Sequence, residues 1–69
     1  MVEVFKTNVQ STREANFIIQ KLAEEFPRYK INFDLSDCDR ILRVQGNTIL
    51  GIEIINIVTS LNYNCEILE

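Results

Sequence analysis

The chain has no histidine and no tryptophan, and only two glycines, one proline and two cysteines in 69 residues. Without histidine it lacks the commonest general base, the commonest metal ligand and the usual pH switch, which sets aside most enzyme chemistry. Cys38 and Cys65 are too few to staple a secreted mini-protein, and their spacing matches no zinc pattern, so reduced thiols in the cytoplasm are expected. No apolar run exceeds three residues, and no basic segment followed by an apolar one opens the chain, so neither a membrane span nor a signal peptide is expected. Seven basic residues against ten acidic ones leave a net charge of −3. That sign opposes binding to phosphate backbones or anionic lipid, so neither nucleic acid nor a membrane surface is an expected partner.

What is present is the composition of one small folded domain over residues 1–69, with 46% hydrophobic and 25% charged residues and no low-complexity stretch. A chain of this length buries only about 60% of its unfolded surface, so its core is marginal.

Val2 to Val9, rich in β-branched and aromatic residues, predicts a first strand. Its inward face is open, because Val2 and Val4 have one parity and Phe5 and Val9 the other. Ser11-Thr12-Arg13-Glu14 fits a capping box and starts a helix whose Ala15, Ile18, Ile19, Leu22 and Phe26 share one face before Pro27 stops it. From Tyr29 the period becomes two, with Ile31, Phe33 and Leu35 alternating against polar neighbours, as in a strand buried on one face. Ser36 to Asp39 supply turn-forming side chains and Arg40 to Val44 return as a second strand, giving a hairpin. Gly46-Asn47-Thr48 caps a helix from Ile49 to Leu61, Asn62-Tyr63-Asn64 breaks it, and Cys65 to Leu68 form a short last strand. Leu68-Glu69 also fits a cloning scar and carries no weight.

Strand, helix, strand, strand, helix, strand with right-handed crossovers predicts an α+β ferredoxin-like sandwich, two helices on one face of a four-stranded antiparallel sheet. The junction at Val9 to Ser11, the turn at Asp37 to Asp39 and the loop at Asn62 to Asn64 then meet at one end, where a site is expected. The surface offered there is Asn8, Val9, Gln10, Ser11, Asp37, Cys38 and Tyr63.

Four segments in order resemble the heavy-metal-associated (HMA) domain of small copper chaperones and metal-pumping ATPases. Phe5 to Val9 is similar to the first strand of a bacterial subgroup, and Val9-Gln10-Ser11-Thr12-Arg13-Glu14 aligns with the Met/Ile-x-Cys-x-x-Cys loop. Asp34 to Val44 is similar to the hairpin, and Leu61-Asn62-Tyr63 stands where the family ends its second helix with Gly-Tyr or Gly-Phe. The resemblance implies a surface loop that binds Cu(I) or another soft ion through two thiolates. Here Ser11 and Glu14 occupy the two thiolate positions, and a hydroxyl and a carboxylate are hard ligands without that preference.

No metal is therefore expected at this loop, and the two residues serve the helix instead. Cys38 and Cys65 should not rebuild a site, because their strands form opposite edges of the sheet, about 14 Å apart. Cys38 between Asp37 and Asp39 is a weak soft ligand, and Cys65 reads as a small buried apolar residue. Asp34, Asp37 and Asp39 lack a calcium-loop pattern. Arg13 and Asn8 resemble the Arg and Asn of acylphosphatases, which share the fold, but the chain has no glycine before Gly46 to build their phosphate-cradling loop. The second helix has more apolar residues than one core stripe holds, so Ile52 or Ile57 faces outward, either as scattered surface isoleucine or as an interaction surface joined by Val2, Val4 and Ile41 on the open sheet face.

The expected function is a non-enzymatic, HMA-like protein-contact or regulatory module linked to metal handling, with a protein partner or a second copy. The alternative is a copper or zinc carrier using Ser11, Glu14 and Cys38, or two copies that bring their Cys38 residues together.

Overall fold

The computed structural model describes residues 1–68, so Glu69, half of the terminal Leu-Glu pair, lies outside the described residues. The elements follow the expected order: β1 (Val2–Thr7), α1 (Thr12–Glu25), β2 (Lys30–Asp34), β3 (Ile41–Gln45), α2 (Gly51–Ser60) and β4 (Cys65–Ile67). The strands form one antiparallel sheet in the order β2-β3-β1-β4, the ferredoxin-like arrangement. β1 is thus an inner strand, while β2 and β4 are the edges.

Register decides what each face carries, since residues opposite one another across strands share a face. Phe5 stands between Leu42 and Ile67, and Phe5, Leu42 and Val44 are wholly buried, so the odd positions of β1 face the helices. The two helices complete the core with Ile18, Leu22, Ile54 and Val58, each fully buried. Thr7 also points inward, a polar residue in an apolar layer, and its hydroxyl donates to the Arg40 carbonyl at 2.6 Å while accepting from the Val9 N–H at 3.2 Å. Those bonds turn the chain out of the ladder, and β1 ends two residues earlier than its composition predicts.

The opposite face holds Lys30, Asn32, Asp34, Arg43, Gln45, Lys6 and Glu66, a charged surface with Val2 and Val4 at one end. Of the apolar residues expected there, Val2 is 50% exposed and Val4 half-buried, but Ile41 is only 7% exposed. Lys6 and Asp34 flank Ile41 across the ladder, and the aliphatic stem of a lysine shields such a neighbour.

Ends of elements differ from expectation for identifiable reasons. Arg40 takes a left-handed backbone (φ 48°), which no strand accommodates, so β3 begins at Ile41. α2 begins at Gly51 after Leu50, without a side-chain cap, and the expected cap residue Thr48 instead presents its carbonyl to the Tyr29 hydroxyl at 2.7 Å. Ile49 precedes the helix and inserts into the core. Gly46 closes against the same tyrosine, where a Cβ would lie 2.6 Å from the ring. Of the two isoleucines offered for the outward face, Ile52 takes it at 62% exposed, whereas Ile57 is half-buried against the core. No described helix is long and apolar enough to cross a membrane.

Candidate functional site

Three junctions meet at one end of the sandwich, held by side chains as well as backbone. The Thr7 N–H donates to the Asp39 carbonyl at 3.1 Å, tying the exit of β1 to the β2–β3 turn. Asn8 Oδ1 accepts the Asn64 N–H at 2.8 Å, tying the same exit to the entry of β4. The end of α2 is shaped for this meeting: Asn62 adopts a left-handed backbone (φ 73°), and the Asn62 and Tyr63 N–H groups return to the Thr59 and Val58 carbonyls. This is the Schellman closure in which glycine is the usual residue and asparagine the common substitute.

Ser11 and Glu14 form the capping box their spacing predicts. The Glu14 N–H donates to Ser11 Oγ at 3.2 Å, and Glu14 Oε1 accepts the Ser11 N–H at 3.1 Å and the Gln10 N–H at 3.2 Å. The Ser11 hydroxyl also lies 3.2 Å from Oε1. The second carboxylate oxygen is engaged as well, since the Tyr63 hydroxyl donates to Glu14 Oε2 at 3.0 Å across a separation of 49 residues. Donation from Tyr63 is the leading effect on the Glu14 carboxyl; desolvation opposes it, and donation from the Gln10 and Ser11 groups joins Tyr63 in holding the carboxyl below its ordinary value. Tyr63 is pushed upward by partial desolvation and by the same carboxylate.

This arrangement answers whether the loop suits a soft metal ion. Its two candidate donors are oxygens, and both are committed to the helix start and to Tyr63, so a thiophilic ion would have to break the cap to gain hard ligands. The residues do not fit such cargo. Among the described residues, the one group of three metal-capable side chains that comes together is Asp37, Cys38 and Asp39, with donor atoms within 4.8 Å of one another. Glu14 is not a member. Asp37 Oδ1 already accepts the Asp39 N–H at 2.9 Å, Asp39 lies 3.8 Å from Lys6 Nζ, and Asp37 and Cys38 are exposed. Asp34 turns away to its own loop, where bonds from Ser36 lower its carboxyl value.

Both cysteines are free, and Cys65 is buried. Burial, helped by Glu66, pushes its thiol up to about 12, which leaves it inert as a nucleophile. It lines a shallow groove of about 420 Å³ with Lys6, Asn8, Thr59 and Asn64. Arg13 is exposed and, among the described residues, takes part in none of the bonds at this end.

Val9 is wholly buried and supports the loop from below, while Asn8, Gln10, Ser11, Asp37 and Cys38 form its exposed rim and Tyr63 is half-buried at its edge. The cap was readable from local spacing, but the Tyr63–Glu14 and Asn8–Asn64 bonds were not, because no local pattern joins residues so far apart in the chain. No family model, no curated protein and no solved structure matches this chain.

Proposed function

We propose that this is a non-enzymatic, HMA-like module for protein contact, working in the cytoplasm, in which the loop that carries two thiolates in that family has become a structural cap. One observation carries the reading: both oxygens of the Glu14 carboxylate are spent on internal donors, Ser11 and Gln10 on one side and Tyr63 on the other. A loop closed in this way has a stabilising role and no open position for cargo. The absence of histidine and the depressed nucleophilicity of Cys65 favour binding over catalysis. Free cysteines suit a reducing compartment, and the net charge of −3 argues against nucleic acid.

The test is an amide NMR titration of the reduced protein with Cu(I) and with Zn(II), using the double variant Ser11→Cys, Glu14→Cys as control. The expected result is localised shifts in the variant and none in the parent. Shifts in the parent around Ser11, Cys38 and Tyr63 would overturn the reading and establish a metal carrier with unusual ligands.

A further inference from the structure

The two edges of the sheet differ in length and in charge pattern. β4 is three residues long with Glu66 at its centre, so pairing with its own copy would set glutamate against glutamate. β2 is five residues, Lys30-Ile31-Asn32-Phe33-Asp34, paired with β3 on one side only. Its pattern is self-complementary. An antiparallel pairing of two copies centred on Asn32 sets Lys30 opposite the second copy's Asp34 at both symmetric positions, Ile31 opposite Phe33, and Asn32 opposite itself. Beyond the strand ends the same register sets Tyr29 opposite Leu35. A shift by one residue in either strand would place apolar side chains against polar ones across the whole edge.

The burial at this edge agrees with an incomplete layer. Leu42 and Val44, opposite Phe33 and Ile31 on β3, are wholly buried, whereas Ile31 and Phe33 are only half-buried. Beside them runs an open groove between α1 and β2, lined by Ala15, Asn16, Ile19, Phe33 and Leu35. Lys30 and Asp34 are exposed, and neither takes part in a salt bridge among the described residues; Asp34 Oδ1 accepts from Ser36, which leaves Oδ2 for a lysine opposite.

We propose that the β2 edge is a homodimer interface, in which two copies of this chain pair antiparallel about Asn32 and join their four-stranded sheets into one. The two-fold axis stands perpendicular to the sheet, so both helical layers stay on the same face and the two α1 grooves lie side by side. The backbone pairing and the completed apolar layer supply attraction, and the two Lys30–Asp34 pairs set the register. This names the partner in the protein-contact reading and rests on it.

The test is sedimentation of the reduced protein over about 10 µM to 1 mM at low salt, a range that detects weak association. A mass rising to twice 8.0 kDa is expected. Lys30→Asp and Asp34→Lys, each alone, place like charges opposite at both symmetric positions and should weaken dimerisation by roughly tenfold or more. Mixed in equal amounts, the two variants are complementary and should associate as the parent does. Circular dichroism checks that each remains folded. Independently, Asn32→Cys in a Cys38→Ser background should oxidise to an interchain disulfide, since paired residues bring their Cα atoms within bonding range. A mass that stays at one chain throughout overturns the proposal, as does a dimer insensitive to the charge variants and unable to cross-link through position 32. Neither result touches the metal titration, which reads the other end of the molecule. Metal binding by the parent would in turn overturn the cap reading without changing the measured mass.

Discussion

At the start of α1 the chain meets its unpaired amides with side chains, Ser11 Oγ and Glu14 Oε1, whereas at the start of α2, at the far end of the molecule, Leu50 offers no side-chain cap. There the Glu53 N–H returns to the Leu50 carbonyl at 3.0 Å, and packing fixes the helix: Ile49 enters the core just before it, and Ile67 of β4 closes on Gly51. One helix is started by local chemistry and the other by tertiary contact. The first kind of start can be read in four consecutive residues, and the second cannot.

The sharpest way to break the contrast is to remove the local chemistry. Ser11→Ala should cost about 1 kcal/mol of unfolding free energy, the usual loss for an N-cap, measured by urea denaturation. A loss near zero would mean that α1, like α2, is held by packing alone.

The contrast can also be erased from the other side. Leu50 has extended backbone (φ −96°, ψ 102°), is 57% exposed, and precedes Glu53 by three residues, so Leu50→Ser would write a second capping box into the chain. The expected outcome is a gain of about 0.5–1 kcal/mol in the same measurement, smaller than the loss at Ser11 because some apolar contact is given up. No gain would show that a packed helix start has no use for a cap.

The smallest effect lies in pH dependence. The folded protein holds the Glu14 carboxyl below the ordinary value of 4.5, with Tyr63 as the leading cause. Above that value the carboxylate is ionised in folded and unfolded chains alike and its contribution is complete. As pH falls through 4.5 the unfolded chain takes up the proton first, so the contribution fades toward the lower folded value. Glu14→Gln should therefore lose less stability than the parent between about pH 6 and pH 3, and Tyr63→Phe should shrink the same acid limb while leaving the cap in place. Denaturant midpoints across that range would show it, and identical slopes in all three proteins would remove the Tyr63 hydroxyl from the account.

The same division explains what could be read from the sequence. The period-two run in β2 and the Pro27 stop after α1 are local signals, and both survive in the structure. Apolar parity leaves the inward face of β1 undecided because its inner row includes Glu3 and Thr7, and Thr7 is accommodated by bonds to the Arg40 carbonyl and from the Val9 N–H. Parity puts Ile41 on the exposed face, and its burial depends on its neighbours across the ladder. At the candidate site the cap is legible in local spacing, while its fourth participant, Tyr63, is brought to the same end by the expected topology, and its hydrogen bond to Glu14 has no signal in the sequence. Long-range polar bonds depend on where a fold delivers two side chains, and no spacing records that.

The position of β1 inside the sheet, between β3 and β4, also shapes how the molecule is made. Within this domain β1 has no partner until β3 emerges, and its second partner, β4, follows later still. Non-local pairing of this kind slows folding and leaves an early, β-rich segment unsatisfied in the nascent chain. Val2 to Thr7 therefore waits unpaired while the intervening elements are made, and Lys6, the one basic residue within it, is a charge of the kind that discourages premature strand pairing.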